Sequence, residues 1–316
     1  MQNLTDLTGN ATSSKNTSMI LKVCVVIPLF CVFLYFILLM LHTFASHRQF
    51  LESSRYILFA YMLINDTLQL FTSVLLFLFV MGNVNFAIVY CVPLLFISTT
   101  TFQNGPLILA AMSLERYVAI FYPLHRPASW RPEKIWVIAL ALWIISCVPP
   151  TVDFILMKPK PDVNVLTSPV VCKTQVLNSL PIQTFIKVVV NAMFFAVVAV
   201  IIFFTYIRIL LETRKMRHDR ASVTKALHTV VLHGFQLILS LMVFTFPITE
   251  ALIVVHISWM QEHISFFNYF CFVLLPRFLS PLIYGLRDES LRTYLKRGMP
   301  CCRAVVWPHK AVKPQK

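Results

Sequence analysis

With 316 residues, 58% of them hydrophobic and only 13% charged, the chain is too apolar for an ordinary soluble domain. Its formal net charge of +14 describes a basic membrane face set against anionic lipid and an acidic partner, since no soluble nucleic-acid module is visible. Several apolar runs reach the roughly 20 residues a helix needs to cross a bilayer. None has the short alternating pattern of barrel strands, so the expected fold class is an all-α membrane protein.

The reading in chain order begins with a polar tail, residues 1–19, carrying N-x-Ser/Thr sequons at Asn3, Asn10 and Asn16. Three sequons in so short a stretch imply exposure to the glycosylation machinery. No cleavable signal peptide precedes them, so the first span is expected to act as the insertion signal. Seven spans follow, at about 20–44, 56–81, 91–117, 135–157, 182–210, 227–256 and 264–286, with residues 287–316 as an amphipathic helix and cytoplasmic tail. A fourth sequon, at Asn65, lies inside a span and is disregarded.

Seven crossings put the termini on opposite sides, and charge decides which is which. Of the 27 Lys and Arg, Lys15, Lys22, Lys158, Lys160, Lys173 and Lys187 fall on the N-terminal side, and Arg277 lies inside span 7. All the others gather on the opposite side, which the positive-inside rule makes cytoplasmic. Cys91, at the outer start of span 3, and Cys172, in the outer loop 158–181, can meet in an oxidising compartment. Cys24, Cys31, Cys147 and Cys271 fall within spans, where a buried thiol acts as a small apolar residue. Cys301 and Cys302 follow the last helix on the reducing side; palmitoylation and unmodified thiols are equal alternatives there.

Span 3 ends in Glu115-Arg116-Tyr117, charge placed where apolar residues alone would be expected. Arg116 lies 25 residues after Cys91, about 37 Å of helix at ~1.5 Å per residue, so one residue marks the outer rim and the other the inner. That spacing and motif resemble rhodopsin-like G-protein-coupled receptors. The longer run Ala111-Met112-Ser113-Leu114-Glu115-Arg116-Tyr117-Val118-Ala119-Ile120, followed by Pro123-Leu124, is similar to the signature of vertebrate odorant receptors. Lys225-Ala226-Leu227-His228-Thr229 and Pro281-Leu282-Ile283-Tyr284-Gly285-Leu286-Arg287-Asp288 resemble that family's boxes in spans 6 and 7. The departures are a span 1 without Gly-Asn, Ser280 where Asn is usual, Phe244-Thr245-Phe246-Pro247 in span 6, and a single outer-loop cysteine. They point to a divergent, fish-type branch.

The resemblance implies a seven-transmembrane helix bundle in the plasma membrane, with no cofactor and no enzymatic activity. It would bind a small organic ligand and activate a heterotrimeric G protein, stimulatory and cAMP-raising. Glu115 would restrain Arg116 at rest, and Tyr206 and Tyr284 would swing inward on activation. The plain alternatives are an interfacial Arg snorkelling to headgroups and belt tyrosines. Asp66 occupies the span-2 position where the wider class has a sodium-binding acid, and Arg277 is expected to pair with it and supplant the ion.

Ligand contacts are expected in the outer half from Ser98, Thr99, Phe102 and Gln103 in span 3, Asn191, Phe194 and Phe195 in span 5, Glu250 in span 6 and Phe270 in span 7. With 27 Phe in the chain, packing and lipid contact compete with each aromatic assignment. Ser98 stands where amine receptors carry an aspartate, which argues against an amine unless Glu250 substitutes. Asp153, after Pro149-Pro150, reads as a solvated acid. The competing classes are a non-odorant receptor of the same type for a lipid or peptide and, further off, a transporter, which would favour repeated halves. A membrane enzyme would need a metal or nucleophile constellation that the chain does not assemble.

Overall fold

The computed structural model describes residues 2–122, 125, 127–155, 169–172, 181–215 and 263–279, with isolated positions 231, 234, 235, 238 and 291. Helix α1 runs Gln2–Ser46, the one-turn α2 Arg48–Leu51, α3 Ser54–Met81, α4 Ile88–Phe121, α5 Ile135–Ile155 and α6 Pro181–Lys215. A final helical stretch, α7, covers 264–279 and is π-helical from Tyr269 to Leu274. Two three-residue strands, β1 Asn85–Ala87 and β2 Pro169–Val171, pair antiparallel with Phe86 opposite Val170.

Chain composition explains the boundaries. The membrane segment of α1 is Thr17–Ser46, but the helix begins at Gln2, where a polar tail of 1–19 was expected. No proline precedes Pro28, so a helix nucleated by the span extends backward at little further cost. The end of α3 is a left-handed cap: Asn83 has φ 48° and the Val84 N–H reaches back to the Phe79 carbonyl at 3.0 Å. Asn tolerates that conformation, and the reversal turns the chain into β1.

Packing is inverted relative to a soluble bundle. Trp136, Leu140, Ile144 and Val148 form an i,i+4 stripe on α5 that is 53–63% exposed. Val189, Met193, Val197, Val200 and Phe204 do the same on α6. Such stripes have their partner in lipid tails, and four helices among the described residues are long and apolar enough to cross a membrane. Cys24 and Cys31 lie on this outer surface of α1 and Cys147 and Cys271 are half-exposed, so the four span cysteines face outward more than the expected burial allowed.

The centre is α4. It buries Thr100, Thr101, Gln103, Asn104, Ser113 and Glu115 along with its apolar residues, whereas α5 buries only Ile135, Ser146 and Pro150. An element carrying that much polar chemistry is stable in a membrane only when other helices surround it. Helices α3, α5 and α6 do so, and Cys91 near its start is disulfide-bonded to Cys172, immediately after β2. The paired strands and the disulfide together tie the segment around 169–172 across the Cys91 end of α4.

Candidate functional site

Three groups of side chains converge on α4, at the Arg116 end, the middle and the Cys91 end. At the Arg116 end, Arg116 Nε lies 4.0 Å from Glu115 Oε2, and Glu115 is buried. Tyr117 packs against Phe121 at 4.5 Å and Phe204 of α6 at 5.8 Å between ring centroids. Arg208 stands over the Phe121 ring at 5.4 Å, a cation–π contact that fastens α6 to the end of α4. Tyr206 packs half-buried against the core. Tyr284 lies outside the described residues, as do Glu250, Cys301, Cys302, most of the expected sixth span and the side chains of Asn3, Asn10 and Asn16.

The middle holds a buried polar network. Asn104 Nδ2 donates to Asn65 Oδ1 at 3.0 Å and to the Tyr61 hydroxyl at 2.7 Å, while Asn65 Nδ2 donates to the Thr101 carbonyl at 3.0 Å. Asn65 is therefore a helix-packing residue. Beside it, Arg277 Nη1 donates to Asp66 Oδ1 at 2.9 Å, with both side chains nearly inaccessible. The guanidinium also sits 6.0 Å from the Phe102 ring centroid.

Gly105 is what makes room for it. A methyl group built on Gly105 would stand 2.5 Å from Arg277 Nη1, 2.9 Å from Nη2 and 3.1 Å from Cζ. The next residue, Pro106, has no N–H to return to the Phe102 carbonyl, so α4 is locally opened where the cation rests. The π-helical turn Tyr269–Leu274 precedes Arg277 and shifts the face that α7 presents. Gly105→Ala is expected to destabilise the bundle by about 1–3 kcal/mol, the cost of overpacking a close-fitted interior. Thermal denaturation in detergent measures it, and the same substitution should cost much less in an Asp66→Leu/Arg277→Met background, where the guanidinium is gone and no buried charge is left unpaired.

Toward the Cys91 end the expected ligand residues divide. Thr99, Gln103 and Asn191 come together with Pro149, Val190 and Asp153 around a narrow crevice between α4, α5 and α6, with room for little more than a water molecule. An adjoining, still narrower crevice shares Thr99 and Asp153. Gln103 Nε2 donates to Asn191 Oδ1, joining α4 to α6. Phe102 packs against Phe195 at 6.4 Å, and Phe194 meets Phe195 edge-on at 5.7 Å, forming the wall behind that pair. Ser98 is half-buried one turn away, its carbonyl accepting from Thr101 Oγ1 at 3.0 Å.

Phe270 stands apart, beside Phe266 at 6.2 Å, in an α3–α7 cluster where Tyr269 stacks on Phe77 at 5.1 Å and its hydroxyl makes a long 3.5 Å contact with Ser73 Oγ. Sequence reasoning missed Gly105, Asn104 and Tyr61. A glycine in mid-span, in a chain with six glycines, was a visible signal. Asp153, expected to be solvated, is half-buried and borders both crevices.

A helical bundle with lipid-facing apolar stripes, a polar central helix, a crevice near one end and a charged motif at the other defines a multi-pass membrane protein built around α4. The model of the 7 transmembrane receptor (rhodopsin family) matches residues 38–284, and the chain belongs to that family, a family of receptors and not of enzymes. It is 33% identical over 207 residues to Odorant receptor 131-2 of Danio rerio, covering 65% of this chain and 64% of that receptor. It is also 36% identical over 63 residues to Tachykinin-like peptides receptor 86C of Drosophila melanogaster, 20% of this chain and 12% of that one. The chain thus spans less than two thirds of the length of either relative.

Proposed function

We propose that the protein is an odorant-type receptor, its N-terminus outside the cell, that binds a small organic ligand in the outer half of the bundle and activates a heterotrimeric G protein, raising cAMP. The observation that carries this reading is the composition of α4, which is fixed at one end through Cys91 and carries the half-buried Arg116 against Glu115 at the other. A helix so built can relay a change at its ligand end to a charge at its partner end. Ligand binding would favour the active state only through its difference in affinity for the two states. The zebrafish relative, an odorant receptor by name, supports a small volatile or dissolved organic ligand.

The Asp66–Arg277 pair fits the same reading. With a guanidinium already against the span-2 carboxylate, the positive charge that a sodium ion would contribute is built into the chain. The basic residues gathered beyond Arg116 would meet anionic lipid and the acidic face of the G protein.

A panel of odorants applied to cells bearing a cAMP reporter tests the proposal. Arg116→Ala should lose the cAMP response while reaching the cell surface and retaining ligand binding. Inertness to every odorant together with a response to a peptide or lipid mediator would overturn it in favour of the other reading, for which the short match to a peptide receptor is the supporting observation.

A further inference from the structure

We infer that the π turn of α7 is a register switch. Wound as it stands, it holds Tyr269 and Arg277 against α3 together; rewound as α-helix, it exchanges Tyr269 for Phe270 at Phe77 while Arg277 stays on Asp66. This deepens the reading of the protein as a signalling receptor and rests on it for what the switch reports.

Residue counts on the two helices differ by one. Tyr269 stacks on Phe77 at 5.1 Å with its hydroxyl 3.5 Å from Ser73 Oγ, and Arg277 Nη1 lies 2.9 Å from Asp66 Oδ1. Ser73 and Asp66 are seven positions apart on α3, whereas Tyr269 and Arg277 are eight apart on α7. At about 100° per residue, seven positions return a helix to within ~20° of the same face, and eight leave it ~80° away. A regular α-helix would therefore aim only one of the two side chains squarely at α3. The π turn takes up the extra residue: the Leu275 N–H reaches back five positions, to the Phe270 carbonyl. The lipid-facing side shows the same offset, since the exposed Phe267 and Leu275 are also eight apart.

Contacts to α3, and not the backbone, hold this winding. Pro276 has no N–H to offer the carbonyl four residues back, so the α-helical ladder is interrupted beside the turn in either winding. Of the two contacts, the buried ion pair is the costlier to break, because parting it strands a charge in the interior. Rewinding with Arg277 fixed therefore turns the segment before the π turn. The residue seven positions before Arg277 is Phe270, now half-buried beside Phe266, and it arrives where Tyr269 stood. A ring still covers Phe77, while the Tyr269 hydroxyl leaves Ser73 for another face of the helix. A ligand that meets one arrangement of Tyr269 and Phe270 better than the other selects the winding by that difference.

The test reads the register in the full chain in lipid nanodiscs. Phe77→Cys is paired with Tyr269→Cys or with Phe270→Cys, the Cys91–Cys172 disulfide is kept and the remaining cysteines are replaced by Ala. A short, irreversible bifunctional thiol reagent is the probe. The pair at 77 and 269 should bridge first. The pair at 77 and 270 should bridge more slowly but to completion, as a minor winding populated at about 0.1–10% is drawn off by the reagent. Deleting position 271 supplies the fixed control, because seven positions then separate Tyr269 from Arg277 and a plain α-helix makes both contacts. In that background bridging at 77 and 270 should slow about tenfold or more, with the melting temperature kept. Bridging at 77 and 270 no faster than in the deletion variant overturns the switch. A deletion variant that melts far below wild type, as a register error would make it, overturns the role given to the π turn. Where the deletion does not fold, full bridging at 77 and 269 with none at 77 and 270 overturns the switch by itself. Neither readout uses a ligand or a G protein, so inertness to every odorant would overturn the functional reading and leave the switch standing.

Discussion

Asp66→Asn should cost the receptor about 3–5 kcal/mol of stability, the largest loss expected from one conservative substitution in this bundle. The reason is the group left behind. Arg277 is 7% exposed, wedged against Gly105 and the Phe102 ring, and Asp66 is the one ion-pair partner it has among the described residues. An amide can accept the 2.9 Å hydrogen bond but cannot neutralise the guanidinium. The Asp66→Leu/Arg277→Met double variant should recover most of the loss, since an apolar replacement of both partners removes the desolvation cost along with the attraction. Thermal denaturation of Asp66→Leu, Arg277→Met and the double variant in detergent completes the cycle. Additive losses would show that the pair is not coupled.

The same scan carries a second arm. Because the built-in cation stands against Asp66, replacing potassium with sodium in the buffer should leave the wild-type melting temperature unchanged. A clear sodium-dependent rise would mean that the carboxylate is free to bind the ion and that the pair is dispensable.

Cys172→Ser is expected to be the next most damaging change, at about 2–4 kcal/mol. The bond closes a loop spanning 81 positions, between the buried Cys91 and Cys172. In a membrane the unfolded reference keeps its helices, which restrict the loop already, so the stabilisation falls below that of a free chain with the same separation. The functional loss should exceed the thermal one, because strands β1 and β2 are short and held beside the disulfide. Reduction of the intact receptor with dithiothreitol should reproduce the variant, both in melting temperature and in ligand binding. A variant as stable as wild type would show that the strand pairing holds the segment by itself.

Several features were legible without coordinates. Apolar run lengths marked the spans, as α3, α4 and α5 start or end within a few residues of the expected limits. The distance from Cys91 to Arg116 marked one continuous helix long enough to cross a bilayer, because a bilayer of fixed thickness converts residue count into depth. Buried ionisable residues were conspicuous for a related reason: Asp66 and Arg277 are costly in hydrocarbon, so their presence pointed to a partner. Gly105 escaped that reading, although a mid-span glycine in a chain with only six was a signal that could have marked it.

What the sequence determined by itself is therefore the class of the protein and the chemistry that had to be sheltered. The tertiary structure alone decided which side of each helix does the sheltering. Along a soluble helix, polar residues mark the outside, but lipid is as apolar as a leucine, so hydropathy cannot distinguish the lipid-facing stripe Trp136–Leu140–Ile144 from the core-facing surface of α4. For the same reason the sequence alone did not show that Asp153 and Gln103 border one crevice. Gly105 and Arg277 are far apart in the chain, and only the packing of α4 against α7 brings a missing Cβ and a guanidinium to one place.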